Sequence, residues 1–195
     1  MTRLREAQKQ MTRRLLLEKG LELFETKGYA ATTIDDIAVS AGTTRTTFYM
    51  HFPSKAHLMR ELVTEVNEII TSTDDPPLTT VVQSGDRAGI RAWLSRKMDQ
   101  WPTILPYVHA GEQAAGVDPE VRDAVDGWFD ATIEDMAIGL DRADRFEPST
   151  RRTRCALAFG QLQFLSLRWK RLGWDADRET ALGLLVDGWC SLLTE

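Results

Sequence analysis

The sequence holds little of what metal sites, catalytic centres and membrane spans require. Its two cysteines and three histidines match no metal-ligand spacing, and it lacks a glycine-rich phosphate loop and a nucleophile elbow. No stretch approaches the ~20 consecutive apolar residues that cross a bilayer. We therefore expect a protein without cofactor, metal or membrane partner that is not an enzyme. A helical enzyme stays as the least favoured alternative.

Alternating runs rich in valine, isoleucine and threonine are nearly absent, so the sequence predicts an all-α fold. The N-terminus is charged and has no apolar signal core behind it, so we expect a cytoplasmic protein. Cys155 and Cys190 lie in apolar helical patterns, which predicts two buried thiols rather than a disulfide or a metal pair.

The net charge of −5 is distributed unevenly along the chain. Residues 1–60 hold ten Lys or Arg against six Asp or Glu, a net charge of +4, whereas the remaining residues carry −9. A basic N-terminal segment followed by an acidic remainder is typical of a protein that contacts phosphate groups with one end only. Chance asymmetry is the alternative for a difference of this size, so charge alone does not establish nucleic-acid binding.

The first part of the chain predicts a short helix, a sharp turn and a second short helix. An amphipathic helix over about residues 4–26 comes before them and ends at Gly28, in the position of a left-handed cap. Thr33 and Thr44 are placed to cap the two short helices, and Gly42 separates them. This arrangement is how proteins place a helix N-terminus in the major groove of DNA.

Further helices follow the turn. A longer helix over residues 54–71 ends before two prolines in the segment 72–77, which forbid its continuation. Five more helices are predicted beyond it, for a total of about nine, at residues 86–101, 103–115, 118–143, 148–172 and 177–193.

The second short helix carries an unusual number of hydroxyl groups. Four of the five residues 43–47 are threonines, although β-branched residues have a low helix propensity. Threonine can instead bind phosphates or base edges, and Arg45 is the candidate for a bidentate contact with guanine. Tyr49, His51 and Lys55 suit phosphate contacts. The predicted DNA-binding residues are Thr33, Thr43, Thr44, Arg45, Thr46, Thr47, Tyr49, His51 and Lys55.

Residues 12–60, about a quarter of the chain, resemble the tetracycline-repressor (TetR) family of bacterial regulators. The family's signature occurs here without a gap as Leu23-Phe24, Gly28, Thr32-Thr33, Ile37-Ala38, Ala41-Gly42, Phe48-Tyr49, His51-Phe52 and Lys55. The resemblance implies an all-α dimer with an N-terminal helix-turn-helix domain and a C-terminal domain that binds an inducer and dimerises. Thr43, Thr44 and Thr46 depart from the family's usual residues, so the operator sequence is not transferable.

The predicted organisation has three parts. Residues 1–53 form a helix-turn-helix DNA-binding domain, residues 54–71 a connecting helix, and residues 78–195 a ligand-binding and dimerisation domain. The last two helices are apolar nearly all round, which favours burial on both sides and a homodimer formed through them. A helix pair at the centre of a monomeric bundle is the alternative.

The ligand side of the prediction depends on aromatic residues. All six tryptophans lie beyond residue 90, and an apolar cavity with a few polar anchors is typical of small-molecule sites. The predicted ligand-binding residues are Trp93, Trp101, Tyr107, His109, Gln113, Trp128, Thr132, Met136 and Gln163. Aromatic stripes at helical spacing also occur as plain core, which is the alternative.

Together these patterns predict a DNA-binding transcriptional regulator. We expect a ligand-responsive repressor that binds a palindromic operator as a dimer and is released by a small hydrophobic inducer. The inducer would bind between the middle helices, tilt the helix over residues 54–71 and change the spacing of the two DNA-binding domains. A DNA-binding regulator without a small-molecule ligand is the alternative.

Overall fold

A computed structural model describes residues 2–173 and 177–194 of the chain. The helices in these ranges are α1 (Thr2–Thr26), α2 (Ile34–Ser40), α3 (Arg45–His51), α4 (Lys55–Thr71), α5 (Leu78–Ser84), α6 (Arg87–Ala115), α7 (Pro119–Arg142), α8 (Pro148–Leu172) and α9 (Arg178–Leu193). The all-α prediction is confirmed. None of the helices in the described ranges is long and apolar enough to cross a membrane.

Packing divides the chain into two compact units that are not continuous in sequence. The first unit holds the residues up to Asn67 together with Pro106–Asp126. The second unit holds Glu68–Leu105 and the residues from Gly127 onward. The linear division into domains that the sequence suggested stays a prediction.

The first unit is organised around one apolar cluster. Its largest fully buried side chains are Leu16, Phe24, Ile37, Phe48, Phe52, Leu58, Met59 and Leu62. Ala110 and Ala114 of α6 and Val121 of α7 belong to the same cluster. The core beneath α2 and α3 is therefore completed by residues about 60 positions further along the chain.

The second unit is stabilised by aromatic stacking and by a half-buried arginine that caps two helix ends. Trp93 of α6 stacks on Trp189 of α9, with ring centroids 5.4 Å apart. The guanidinium of Arg145 donates to the carbonyl oxygens of Val82 at 2.8 Å and Leu193 at 3.0 Å. These carbonyls lie in the last turns of α5 and α9, where the helix itself supplies no donor.

The predicted break in α6 is wrong. The sequence predicts two helices separated at Pro102, but α6 runs without interruption through Pro102 and Pro106. A proline inside a helix costs about 3 kcal/mol because it lacks the backbone N–H. The neighbouring side chains of Trp101, Ile104 and Leu105 are buried, and their burial offsets that cost.

Helix α5 was not predicted from the sequence. It has seven residues, and its two threonines and two valines are β-branched and have a low helix propensity. Leu78, Val81 and Val82 are nevertheless buried. Tertiary packing rather than intrinsic propensity therefore stabilises this helix.

Helices α5 and α7 pack so closely that one position tolerates only glycine. A Cβ atom added at Gly139 of α7 would lie 2.7 Å from the carbonyl oxygen of Thr79 and 2.9 Å from the Cβ of Val82. A backbone oxygen cannot rotate away as a flexible side chain does. We expect Gly139→Ala to lower the free energy of unfolding by about 1–3 kcal/mol, measured by urea denaturation.

Gly127→Ala on the same helix is the matched control. Apart from the adjacent residues and the backbone of its own helix, no atom of the described residues lies within 4 Å of a Cβ added there. Because alanine favours helix over glycine by up to ~1 kcal/mol, this substitution should be neutral or stabilising. Equal effects of the two substitutions would contradict the close packing of α5 on α7.

Candidate nucleic-acid interface

Local hydrogen bonds and one glycine set the path from α2 to α3. The hydroxyl of Thr33 accepts the N–H of Asp36 at 3.1 Å, and the Asp36 carboxylate accepts the N–H of Thr33 at 2.8 Å. Gly42 adopts a φ of +65°, which side chains other than glycine rarely allow. Thr44 then caps α3 by accepting the N–H of Thr47 at 3.2 Å. The two predicted caps and the predicted turn are confirmed.

The carboxylate of Asp36 also ties α1 to α2. It accepts a hydrogen bond from Nζ of Lys27 at 2.6 Å. This bond and those from Thr33 hold the pKa of Asp36 well below its usual range. The carboxylate is therefore charged throughout the neutral pH range and keeps both of its partners.

Helix α3 is buried on one face and exposed on the other. Phe48 and Phe52 are fully buried in the core of the first unit. The exposed or half-buried side chains at its start are Thr43, Thr44, Arg45, Thr46, Thr47 and Tyr49. Thr33 is exposed at the start of α2. The structure therefore gathers most of the predicted DNA-binding residues on the exposed side of the helix-turn-helix.

The threonines on the exposed side of the helix-turn-helix have different roles. The hydroxyls of Thr44 and Thr47 lie 3.0 Å apart and share a hydrogen bond at the start of α3. The backbone N–H of Thr43 donates to the carbonyl of Ala38 at 2.8 Å and closes the turn. Two of the threonine side chains thus stabilise the helix start, while Thr46 projects from the helix as an exposed side chain.

Arg45 is exposed but held in a defined position. Its guanidinium donates to the carboxylate of Asp35 at 2.9 Å and to the hydroxyl of Tyr49 at 3.4 Å. It also lies 5.6 Å from the centre of the Tyr49 ring. The bonds to Tyr49 and Asp35 raise the pKa of Arg45, so the guanidinium is charged at every relevant pH. The sequence did not indicate Asp35 as a partner, because it lies on the neighbouring helix.

Lys55 points into the protein rather than out of it. Its ammonium donates to the backbone carbonyls of Tyr29 at 2.7 Å and Thr32 at 2.9 Å, and it lies 4.2 Å from the centre of the Tyr29 ring. Partial burial lowers the pKa of Lys55. Two of its three N–H donors therefore bind the loop between α1 and α2. Its predicted contact with phosphate stays a prediction.

His51 lies at the end of α3 and is half-buried. Burial, and then the positive charges of Lys9 and Arg13, lower the pKa of His51, so the ring is neutral at neutral pH. Its Nδ1 is buried, and no hydrogen-bond partner for it lies among the described residues. The structure thus places His51 beside the exposed face rather than at its centre.

Two exposed apolar side chains flank the polar ones and were missed by sequence reasoning. Val39 is 75% exposed at the end of α2, and Met50 is 72% exposed on α3. Large apolar side chains at such exposure can contact the methyl groups of thymine. Their position just outside the hydrophobic pattern of each helix was the available signal.

The predicted ligand-binding residues are divided between the two units. Tyr107, His109 and Gln113 belong to the first unit, and the other six belong to the second. The side-chain amide oxygen of Gln113 accepts the N–H of Tyr29 at 3.4 Å, and the hydroxyl of Tyr107 donates to Glu65 at 3.3 Å. These side chains make contacts inside the first unit, and their role as ligand contacts stays a prediction.

Aromatic packing accounts for most of the six residues in the second unit. Trp101 packs on Trp169 with ring centroids 5.6 Å apart, and Trp128 packs edge-on against Phe159 at 5.8 Å. The other members are Trp93 and Met136, which are buried, and Thr132 and Gln163, which are half-buried. A ligand role for these residues also stays a prediction.

An apolar groove of about 370 Å³ lies between α8 and α9, and its lining residues do not include the predicted ligand-binding residues. Its apolar lining includes Phe164, Leu165, Leu184 and Leu185. Phe164 is 70% exposed and Leu184 is 67% exposed. Together with Leu157, which is also exposed on α8, they form an apolar face on the last two helices.

Neither the cysteines nor the acidic residues suggest redox or metal chemistry. Cys155 and Cys190 are buried free thiols, as predicted, and burial raises the pKa of Cys155 to about 12. Such a thiol is protonated and inert at neutral pH. In the described part of the chain, no group of three or more His, Cys, Asp or Glu residues could hold a metal ion.

Comparison with known proteins gives the same assignment as the geometry of the helix-turn-helix. Residues 16–62 match the family described as "Bacterial regulatory proteins, tetR family". The transcriptional regulator EthR of Mycolicibacterium smegmatis is 29% identical over 121 residues, which cover 60% of this chain and 55% of EthR. The regulator TtgR of Pseudomonas putida is 38% identical over 68 residues, 35% of this chain and 32% of TtgR. The chain thus spans about half the length of EthR and a third of TtgR in these matches.

The likeness in fold extends over nearly the whole chain. NalD, described as the secondary repressor of the MexAB-OprM multidrug efflux pump in Pseudomonas aeruginosa, superposes with a TM-score of 0.69 at 24% identity. The superposition covers 94% of this chain and 97% of NalD. The matched N-terminal segment and the helical fold of the described residues are thus both similar to those of TetR-family bacterial regulators.

Proposed function

We propose that this protein is a cytoplasmic, DNA-binding transcriptional regulator that represses its target as a homodimer and is released from a palindromic operator by a small hydrophobic inducer. The observation that carries the proposal is the exposed face of α3, with Arg45, Tyr49 and Thr46 outward and Phe48 buried behind them. A helix presented in this way fits the major groove. NalD, which has the same fold, is described as a repressor, and this favours repression over activation.

Arg45 is the residue proposed to recognise a base. A guanidinium binds O6 and N7 of guanine with two parallel hydrogen bonds, and Tyr49 and Asp35 already hold this one at the surface. An exposed ion pair contributes little to stability, so exchanging Asp35 for guanine costs little. Val39 and Met50 would contact thymine methyl groups beside it, and Thr33, Thr43, Thr46 and His51 would contact phosphates or base edges.

Dimerisation is proposed through α8 and α9. Leu157 and Phe164 lie seven residues apart on α8 and so share one helix face, and Leu184 lies on α9. Exposed apolar side chains of this size normally mark an interaction surface. A second copy of the same surface would bury them, and a two-fold dimer matches a palindromic operator.

The proposed response to the inducer has a continuous helix to act through. Helix α6 carries Trp93 and Trp101 in its first half, and it ends among the core residues of the first unit. In that unit the hydroxyl of Tyr29 donates to Asp118, which follows α6, at 2.9 Å. A ligand that shifted α6 would therefore disturb the loop between α1 and α2 and change the population of the DNA-binding conformation.

A regulator without a small-molecule ligand is the second candidate, and the tight aromatic packing of the second unit favours it. Saturable thermal stabilisation by an apolar compound would support the inducible repressor, because a ligand that binds only the folded state raises the melting temperature. The described residues contain no cluster of His, Cys, Asp or Glu that could hold a catalytic metal ion, so this observation gives an enzyme no support.

The DNA-binding proposal predicts that Arg45→Ala relaxes sequence preference. We expect its affinity for the operator to fall about tenfold to a hundredfold, while binding to unrelated DNA changes much less. Arg45→Lys is the matched control, because lysine keeps the charge but cannot bind guanine with two parallel bonds. Competition titrations with operator and scrambled duplexes measure both effects. Equal losses on both duplexes would show that Arg45 contacts phosphate only.

The position of Lys55 predicts a loss of stability rather than of phosphate contacts. Lys55→Met leaves the carbonyls of Tyr29 and Thr32 without their donor, and we expect the free energy of unfolding to fall by about 1–2 kcal/mol. The exposed Arg60→Met on the same helix is the control and should change stability little. The slope of log affinity against log salt should stay unchanged for Lys55→Met. A decrease of the slope by about one would instead indicate a phosphate contact.

The dimer proposal predicts that Leu184→Glu gives a monomer. A carboxylate in an apolar interface is desolvated without a partner, so the dimer should dissociate in sedimentation experiments. Operator affinity should fall about 100-fold or more, because the second half-site no longer binds as part of the same molecule. Val117→Glu, at another exposed apolar residue outside α8 and α9, is the control and should stay dimeric. A dimeric Leu184→Glu variant would contradict the assigned surface.

A further inference from the structure

The second unit contains buried hydrogen-bond donors that lack an acceptor. Nε1 of Trp93, Nε1 of Trp189, and Nε and Nη2 of Arg96 are all buried, and within the described ranges no acceptor lies within hydrogen-bonding distance of them. Buried polar groups in folded proteins are nearly always hydrogen-bonded. Indole and guanidinium nitrogens only donate. The missing partner of this cluster is therefore a hydrogen-bond acceptor.

The members of the cluster are related by the geometry of α6. Trp93 and Arg96 are three residues apart and so lie on neighbouring positions of one helix face. Trp189 of α9 stacks on Trp93 with an interplanar angle of 29°. Both tryptophans are at most 3% exposed. The unpartnered donors therefore lie beside a stacked aromatic pair inside the second unit.

Arg96 differs from the other positive charge of this region. The buried ammonium of Lys97 lies 5.0 Å from the centre of the Trp93 ring, forms an ion pair with Asp74 and donates to the carbonyl of Ile70. Burial is the main cause that lowers the pKa of Lys97, and the positive charge of Arg96 contributes. Lys97 is thus balanced by Asp74, whereas no carboxylate in the described part of the chain forms an ion pair with Arg96.

The two unpartnered nitrogens of Arg96 also have a specific geometry. The Nε–H and Nη2–H groups point in parallel along one edge of the guanidinium, and this edge binds the two oxygens of a carboxylate or phosphate side by side. A neutral apolar molecule in the same place would leave both groups unpaired. The hydrophobic surroundings favour a ligand whose remaining part is aromatic or aliphatic.

We propose that Arg96, Trp93 and Trp189 form a binding site for an organic acid, a small molecule with one oxyanion on an apolar body. The oxyanion pairs with Nε and Nη2 of Arg96, the indole N–H groups donate to its oxygens, and the apolar body lies against the two tryptophans. The proposal rests on the proposed function, because it names the chemical class of the inducer. Nε and Nη2 of Arg96 are already buried in the folded protein, so pairing them with the oxyanion costs little further desolvation of these two groups.

The first test compares charged and neutral probes of the same shape on the full chain. Titration calorimetry with 1-naphthoate and octanoate should give at least about tenfold tighter binding than 1-naphthamide and octanamide. 1-Naphthyl phosphate distinguishes the two oxyanions, because tighter binding than 1-naphthoate identifies a phosphate rather than a carboxylate ligand. Equal affinities of acids and amides, or acids that bind more weakly than about 1 mM, would overturn the proposal.

The second test removes the guanidinium. Arg96→Met should reduce the affinity for 1-naphthoate at least about tenfold and abolish the preference for the acid over the amide. Because an unpaired buried charge destabilises the ligand-free protein, the same substitution should raise its melting temperature by about 2–4 °C. Arg91→Met is the control on the same helix. Arg91 already forms an ion pair with Glu179, so Arg91→Met should keep the preference for the acid and should not raise the melting temperature.

A lowered melting temperature of Arg96→Met would show that the guanidinium has a structural partner, and it would overturn the proposal. Trp189→Phe keeps the aromatic stack and removes one N–H. This substitution should lower the affinity for 1-naphthoate without changing the affinity for 1-naphthamide. Operator binding, measured without any probe, is independent of these results. Specific operator binding without acid binding would overturn the proposed acid site and leave the proposed DNA-binding function standing. Acid binding without specific operator binding would overturn the proposed function alone.

Discussion

The burial of Phe48 and Phe52 is the constraint on which the exposed surface of the helix-turn-helix depends. These residues are four positions apart, so they share one face of α3, and both are fully buried. Burial of each phenylalanine stabilises the fold by about 1.5–3 kcal/mol. Any rotation of α3 that brought them to the surface would lose that energy. Arg45 and Tyr49, also four positions apart, are consequently held outward as a pair.

The same core explains why the first unit is not a simple N-terminal segment. Ala110, Ala114 and Val121 complete the cluster around α2 and α3, and Tyr29 donates from its hydroxyl to Asp118. Burial and this bond to Asp118 raise the pKa of Tyr29, so the hydroxyl keeps its proton. The proposed coupling through α6 follows from this composition of the first unit.

The charged residues of the second unit show two different kinds of environment. Arg151 is buried and donates to Asp141, Asp144 and neighbouring backbone carbonyls, so its charge is fully matched. Arg145 and Lys97 are likewise bonded to helix carbonyls. Among the described residues, Arg96 and the two tryptophans of the stack have buried donors without acceptors. This contrast within one unit separates residues that stabilise the fold from residues that suit an external partner.

Much of the candidate interface could be predicted because its determinants are local. The caps at Thr33 and Thr44, the turn at Gly42 and the inward position of Phe48 depend on residues within a few positions of each other. Hydrophobic spacing and side-chain capping chemistry are sufficient to indicate them. Sequence reasoning therefore found the exposed face of α3 and most of its members.

Lys55, α5 and the continuous α6 could not be predicted in the same way. The carbonyls that Lys55 binds lie 26 and 23 residues earlier in the chain, so its inward position could not be predicted from local spacing. Helix α5 contradicts its own β-branched composition, and α6 continues through two prolines. In each case the deciding energy comes from contacts between residues that are distant in sequence. The chain by itself thus determined the helix-turn-helix and its chemistry. Tertiary packing decided which charges are already paired inside the protein and which remain available, because pairing depends on where distant elements meet.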